Sequence, residues 1–407
     1  MRKGWIEAKL SEVLTISRTR IDPSRLPTEA QLVHWSIPKL DETGGPSIDL
    51  ASQIGSHKFS VLQDSVVYSL LNPRIPRFAI IKGGDNVVCS TEFAVLQPKS
   101  NLNLDYLYCF VSSPTFQEQV RSLAKGTTKS RERIDSKEIS KLDILLPPLS
   151  EQRRIVDLIA SVDKYSDSLG MEFSKTRNTR NSLLADLLTS NDASWSEIRL
   201  NELIDHTIGG VWGGEAGSDE VDVLIVRSTE FTKKGYLDFE TGVNRSIKRS
   251  QLKSRELSHG DILLEKSGGG PDQPVGRVVF VTSKIPPRTV CSNFVQLIRP
   301  NRELVDPLFL FHLMWRWHSI NRTLEFQAQT TGIRNLRTPD YLEQVVQLPP
   351  LLEQSRIVAL IAEFDNFMEL IESAQIYIKK LRSGLLSKLL SGDHEIPESY
   401  DKVMGAA

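Results

Sequence analysis

Cysteine is scarce: Cys89, Cys109 and Cys291 are the whole complement of a 407-residue chain. An odd count without Cys-x-x-Cys spacing indicates neither a disulfide framework nor a zinc site, and it suits a reducing, cytoplasmic setting. The seven histidines are scattered and form no His-x-x-x-His pair. No apolar run approaches the roughly 20 residues of a membrane span; Leu308–Trp315 is among the longest. Met1-Arg2-Lys3-Gly4-Trp5-Ile6-Glu7 puts charge where an export signal needs its apolar stretch. Fifty basic against 51 acidic residues leave a net charge of −1, so any nucleic-acid-binding surface must be local. Hydrophobic residues at 40% and charged residues at 25% exclude a disordered or low-complexity chain.

Catalytic motifs are missing too. The glycines of Ser267–Asp272 are not followed by Gly-Lys-Ser/Thr, so they make no phosphate loop. Pro271-Asp272 lacks the downstream Glu-x-Lys of a nuclease metal site. Asn72-Pro73-Arg74-Ile75 shares only its first two residues with the Asn-Pro-Pro-Tyr of amino-methyltransferases and lacks the aromatic that stacks on a flipped base. No active site is expected.

What the chain does hold is a repeat. Pro147–Asp163 returns as Pro349–Asp365 with 12 of 17 positions identical, at an offset of 202. The same offset pairs Val88-Cys89-Ser90 with Val290-Cys291-Ser292, and Leu183-Leu184 with Leu385-Leu386. Trp5–Leu14 matches Trp195–Ile204 at an offset of 190. Between Leu14 and Val88 little resembles the second copy. Residues 1–148 and 191–350 thus read as globular units mixing short strands with helices, and residues 393–407 as a loose tail. Strands are expected at Asp64–Leu70, Gly260–Leu264 and Val275–Val281, and helical stretches at Leu104–Leu123 and Pro307–Phe326.

Residues 149–190 and 351–392 each predict one long helix, entered after proline and with Glu151 or Glu353 near the positive end of the dipole. Ile155, Ile159, Val162, Ser166, Leu169, Phe173, Thr176, Arg180, Leu183 and Leu187 follow a heptad seam, as do Ile357, Ile361, Phe364, Met368, Ile371, Gln375, Ile378, Arg382, Leu385 and Leu389. About 39 residues make roughly 58 Å of helix. Neither helix can bury such a stripe alone, and connectivity favours an antiparallel pair. The expected fold is α+β: two mixed α/β globular units joined by a long antiparallel two-helix coiled coil, pseudo-two-fold and nearly circular.

The most suggestive polar stretches follow the expected helices. Lys125, Thr127, Thr128, Lys129, Arg131 and Arg133 lie in the first unit; Thr330, Thr331, Arg334, Asn335 and Arg337 lie in the second. Hydroxyls and fixed cations are the parts that clamp phosphates and read base edges; a solvated loop before a strand is the alternative. Arg18, Arg20, Arg74, Arg77, Arg227, Lys233, Lys234, Lys266 and Arg277 are further basic candidates, each of which could equally be an exposed face. Gly209–Gly214 reads as a mobile loop or a base-contacting one. Residues 1–148 hold 19 basic and 16 acidic residues, and residues 191–348 hold 19 and 20, less basic than a stand-alone DNA binder.

Two variable units, each followed by Pro-Pro-Leu-x-Glu-Gln-x-x-Ile and a heptad helix, resemble the specificity subunit of type I restriction-modification systems. The resemblance runs from Trp5 to Leu390. It implies that each unit is a target-recognition domain for half of a split double-stranded DNA sequence. It also implies that the helices act as ruler and dock for two methyltransferase subunits, with restriction-translocase subunits completing the complex. Docking is expected around Pro148, Glu151, Gln152 and Arg154, and around Pro350, Glu353, Gln354 and Arg356. The specificity chain of such a system performs no chemistry and binds no cofactor; S-adenosylmethionine, ATP and magnesium belong to its partners. A scaffold whose end units bind proteins, and a self-sufficient enzyme, are the competing readings.

Overall fold

The computed structural model describes residues 2, 4–124, 132–188, 194–269, 274–330 and 333–403; the side chains of residues 269, 329, 330 and 403 are outside that description. The chain forms two compact units. Unit 1 takes residues 1–172 and 371–407, and unit 2 takes residues 173–370. Each therefore contains part of the first long helix, Leu149–Leu187, and half of the second, Leu351–Leu390.

In unit 1, Trp5 leads into Ile6–Lys9, which pairs antiparallel with Asp143–Leu146 and delivers the chain to the first long helix. An antiparallel sheet orders Leu14–Ser17, Phe93–Pro98, Ser65–Ser69 and Phe78–Ile81. Its inner strand Ser65–Ser69 is buried throughout, as a β-branched and aromatic run covered on both faces should be. A second sheet orders Arg20–Ile21, Lys58–Ser60, Val87–Ser90, Gln31–Trp35 and Ser47–Leu50, with Gln31–Trp35 parallel to Val87–Ser90. The stretch Leu104–Leu123 is two helices rather than one. Ser113 ends Leu104–Ser112 and caps Pro114–Ser122, because Pro114 has no N–H to continue the first.

Unit 2 repeats this plan. Ser196–Arg199 pairs with Val345–Leu348, and a sheet orders Ile204–Gly209, Val295–Pro300, Ile262–Glu265 and Val278–Phe280. Val221–Val226 lies parallel to Thr289–Cys291 and antiparallel to Val243–Ile247. This matches Gln31–Trp35 against Val87–Ser90 and Ser47–Leu50, so the equivalence that sequence loses between Leu14 and Val88 survives in the backbone. Beyond this frame the units diverge: unit 1 adds Lys58–Ser60 beside Val87–Ser90, and unit 2 adds Gly214–Glu215 beside Val243–Ile247. Unit 2 also carries a small sheet of Ser267–Gly269, Ile333–Leu336 and Gln327–Thr330. The helix Pro307–Ser319 stops before Asn321, whose φ of 60° opens the 3-10 turn Arg322–Phe326.

The duplicated Pro-Pro-Leu-x-Glu-Gln segment is a structural latch. The Gln152 side chain accepts from Asn103 N at 2.8 Å and donates to Asn101 O at 3.0 Å and Pro147 O at 2.9 Å. Gln354 makes the same three bonds, with Asp306 N (2.7 Å), Leu304 O (3.2 Å) and Pro349 O (2.8 Å). Both glutamines are 0% exposed. They tie the start of each long helix to the N-terminus of an earlier helix, Leu104–Ser112 or Pro307–Ser319, so their amides face inward and not toward a docking partner.

The seam expected along the long helices is buried at Ile155, Ile159, Thr176, Ile357, Ile361, Ile371 and Leu389. Toward the helix ends burial passes to the neighbouring Leu184, Leu188 and Leu386. Of its polar members, Arg180 and Arg382 form ion pairs. In unit 1, Ile155 and Ile159 share a core with Leu386 and Leu389, and Arg382 grips Asp163 with Nε and Nη2. In unit 2, Leu184 and Leu188 share a core with Ile357 and Ile361, and Arg180 Nε lies 2.6 Å from Asp365. Within each unit the helix segments run antiparallel. Each buried leucine or isoleucine contributes about 1.5–3 kcal/mol, and the ion pairs fix the register. Gly392, at φ 77°, ends the second helix. The expected stop of the first at Ser190-Asn191 lies outside the described residues.

The tail is not loose over its described length. Ile396 is 4% exposed and Tyr400 packs on the unit 1 core. Asp401 accepts both arms of Arg154 at 2.8 and 2.6 Å, and Arg2 reaches Glu395 at 2.8 Å. Those anchors hold down a segment that has no counterpart in the first copy.

Candidate nucleic-acid interface

Equivalent backbone hydrogen bonds build the same frame in both units. Leu70 N donates to Glu92 O (2.8 Å), as Lys266 N does to Phe294 O (3.0 Å). Ser69 N donates to Arg77 O and Glu265 N to Arg277 O, both at 2.8 Å. Ile134 N reaches Leu70 O, and Leu336 N reaches Lys266 O. Leu71 pairs with Arg133, and Ser267 with Asn335.

The side chains on this frame differ. Unit 1 shows Leu70, Glu92, Ala94 and Arg133; unit 2 shows Lys266, Phe294, Gln296 and Asn335 at the same places. In unit 1 Arg133 pairs with Glu92 at 3.0 Å, and Arg74 binds Glu132 through two arms at 2.9 and 2.7 Å. Arg18, hydrogen-bonded to Ser136, and Arg20 line a cleft of about 230 Å³ over Phe59 and Phe93. In unit 2 Gln296 donates to Thr207 at 2.8 Å and accepts from Lys266 at 3.5 Å, while Ser267 bonds Asn335 at 2.5 Å and Arg334 reaches Gln327 at 3.5 Å. Phe294, 47% exposed, stands beside them.

Other expected contact residues lie in internal ion pairs. Arg77 binds Asp41 at 2.6 Å, whose carboxyl this bond holds below its usual range. Arg277 binds Glu265 with two 2.8 Å bonds. Arg227 binds Glu230, which is 1% exposed; burial pushes that carboxyl up, but bonds from Arg227, Thr229 and Thr241 hold it below the usual range. Lys233 is exposed, Lys234 reaches Glu369 at 3.2 Å, and Arg337 reaches Asp340 at 3.2 Å. Lys125, Thr127, Thr128, Lys129, Arg131, Thr331 and the Thr330 side chain lie outside the described residues. The expected mobile loop at Gly209–Gly214 is tied down by Gly210 N to Val295 O and Val211 N to Cys291 O, both 2.9 Å.

Of the expected docking residues, Pro148, Pro350 and Arg356 are exposed. Glu151 is turned toward Trp5 (2.7 Å) and Arg2 (3.0 Å), Glu353 lies 3.5 Å from Arg356, and Arg154 is held by the tail. Sequence reasoning missed Thr207, Ser267, Phe294 and Gln296, which carry no charge. It also missed the exposed apolar residues of the second long helix, Phe367 and Leu370 in unit 2 and Tyr377 and Leu381 in unit 1. Among the described residues no cluster of His, Cys, Asp and Glu could hold a metal, and no helix is long and apolar enough to cross a membrane.

Known proteins agree with this picture. The chain is 22% identical over 349 residues to the type I restriction enzyme MjaVIII specificity subunit of Methanocaldococcus jannaschii, covering 76% of this chain and 75% of that one. It is 21% identical over 252 residues to the putative MjaX specificity subunit of the same organism, a match spanning 57% of this chain and 56% of that relative. A solved chain from work on complex assembly and conformational transition of the type I restriction-modification system shares the fold over 97% of this chain and 99% of its own, with a TM-score of 0.69 and 19% identity. The HsdS subunit from Thermoanaerobacter tengcongensis shares it over 97% and 98%, with a TM-score of 0.51 and 21% identity. The type I restriction modification DNA specificity domain model matches residues 2–170 and again residues 225–380, and the chain belongs to that family.

Proposed function

We propose that the chain is the DNA sequence-recognition subunit of a type I restriction-modification complex, with each unit reading one half of a bipartite, asymmetric target. The observation that carries this reading is the duplicated frame with unlike side chains. One backbone presents Leu70, Glu92 and Arg133 in unit 1 and Lys266, Phe294 and Asn335 in unit 2, so the two half-sites differ. The long helices, unbroken over 39 and 40 residues, set the spacing between half-sites. Exposed apolar residues of the second helix, Phe367 and Leu370 in unit 2 and Tyr377 and Leu381 in unit 1, offer methyltransferase subunits apolar contacts, and restriction-translocase subunits complete the assembly. Methyl transfer with S-adenosylmethionine, and cleavage with ATP and magnesium, belong to those partners. A chain of net charge −1 needs them for part of its grip on the phosphate backbone.

The test is a titration at fixed salt. With its methyltransferase partner the chain binds one bipartite duplex far more tightly than a scrambled duplex; equal affinity contradicts the proposal. Alanine at Arg131, Arg133, Arg334 and Arg337 weakens binding and lowers its salt slope, an effect that a protein-binding scaffold would not show.

A further inference from the structure

The two units deliver a cation to the same side of the frame by different routes. In unit 1, Ile16 pairs with Leu96 and Ser17 with Val95, so Arg18 is the next residue on that strand. In unit 2, Thr207 pairs with Ile298 and Ile208 with Leu297, which makes Gly209 the counterpart of Arg18. A Cβ on Gly209 would stand 2.7 Å from the Lys266 amine. Lys266 therefore fills the space where the Arg18 side chain begins in unit 1, and the Lys266 counterpart there is the neutral Leu70. Arg and Leu have been exchanged for Gly and Lys, so each unit keeps one cation on this side of the frame: the Lys266 amine stands where the Arg18 side chain begins, and the Arg18 guanidinium reaches on to Ser136.

Conservation of a charge across two strands, when neither residue is conserved, singles that charge out. A structural cation keeps a close carboxylate, as Arg77 and Arg277 keep Asp41 and Glu265 at 2.6 and 2.8 Å; Arg18 has only a loose, half-exposed pair with Asp135 at 3.8 Å. Among the described residues Lys266 forms no ion pair, and its hydrogen bond to Gln296 is 3.5 Å long. Gln296 is itself oriented by its 2.8 Å bond to Thr207. A half-buried amine beside a fixed amide matches a purine edge, since lysine pairs with the O6 and N7 acceptors of guanine.

We propose that Lys266 in unit 2 and Arg18 in unit 1 are the guanine-reading residues of their half-sites. The inference rests on the reading of the chain as a bipartite DNA recogniser. The test is methylation mapping, with binding to duplexes carrying single base changes, for the methyltransferase complexes of wild type, Lys266→Leu, Lys266→Arg and Arg18→Leu. In Lys266→Leu one guanine of one half-site loses about tenfold of its preference, the other half-site is unchanged, and Lys266→Arg keeps the preference. Arg18→Leu relaxes the opposite half-site only. A uniform loss of affinity with a salt slope reduced by about one would make these residues phosphate clamps and overturn the inference, as would unchanged base selection. A wild-type complex with no sequence preference would remove the bipartite reading itself.

Discussion

Gln152 in unit 1 and Gln354 in unit 2 hold the same three backbone groups, whereas Arg18 and Gly209, or Glu92 and Phe294, share nothing beyond their place on the frame. The contrast follows from where water can reach. A buried amide must satisfy one N–H and two carbonyls, and few other side chains can do so. An outward position on the frame has no such obligation and can follow the DNA. At the latches repeat identity goes with burial, and at Arg18/Gly209 and Glu92/Phe294 divergence goes with outward places on the frame.

That comparison can be broken or sharpened by experiment. The largest effect is expected at the latches. Gln152→Leu and Gln354→Leu each strand buried backbone groups and cost about 3 kcal/mol, lowering the denaturant midpoint of unit 1 and unit 2 respectively. A large loss in one unit alone would break the equivalence. Arg382→Ala and Arg180→Ala come next, at about 1–2 kcal/mol each, with a double-mutant cycle against Asp163 or Asp365 isolating the pair term.

Acid sharpens the comparison, because the helices after Asn103 and Asp306 carry Cys109 and His312 at matching places. Burial, reinforced by the Arg180 charge, lowers the His312 pKa to about 3, while burial pushes the Cys109 thiol up to about 12. Below its unfolded value of 6.5, His312 takes up a proton in the unfolded chain and not in the folded one. Its contribution to stability is therefore whole above that pH and is lost as pH falls toward 3, by at most about 1.4 kcal/mol per pH unit. Unit 2 should lose stability over this window, and His312→Leu should flatten its slope relative to unit 1 in thermal melts at stepped pH. The smallest effect is at the tail, which unit 1 alone carries: Arg154→Ala should speed proteolysis within residues 394–403 and leave the unit 2 transition unmoved.

Legibility in the sequence followed the same division. The Pro147–Asp163 repeat and the start of the seam at Ile155 and Ile159 were readable because burial constrains residue type at fixed spacing; farther along, burial shifts to Leu184 and Leu188, beside the expected Leu183 and Leu187. The parallel pairing of Gln31–Trp35 with Val87–Ser90 was not, since short apolar strands accept many residues and the match to Val221–Val226 is one of backbone alone. Docking at Gln152 and Gln354 was expected from the family resemblance alone; their 0% exposure turns both amides to the chain itself. Most of the expected contact cations were identified by charge, and the structure ties Arg77, Arg227 and Arg277 to carboxylates. Charge counting was blind to Gln296, Thr207 and Phe294. The tail gave a usable signal in Ile396 and Tyr400, which a polar end would lack.

The most direct measurement is a genome-wide map of methylated sites in cells carrying this chain and its methyltransferase. Two unlike short half-sites separated by a constant unread gap are predicted, with one half altered when the frame residues of unit 2 are replaced by those of unit 1. A single continuous motif, or one whose two halves change together, would contradict the account.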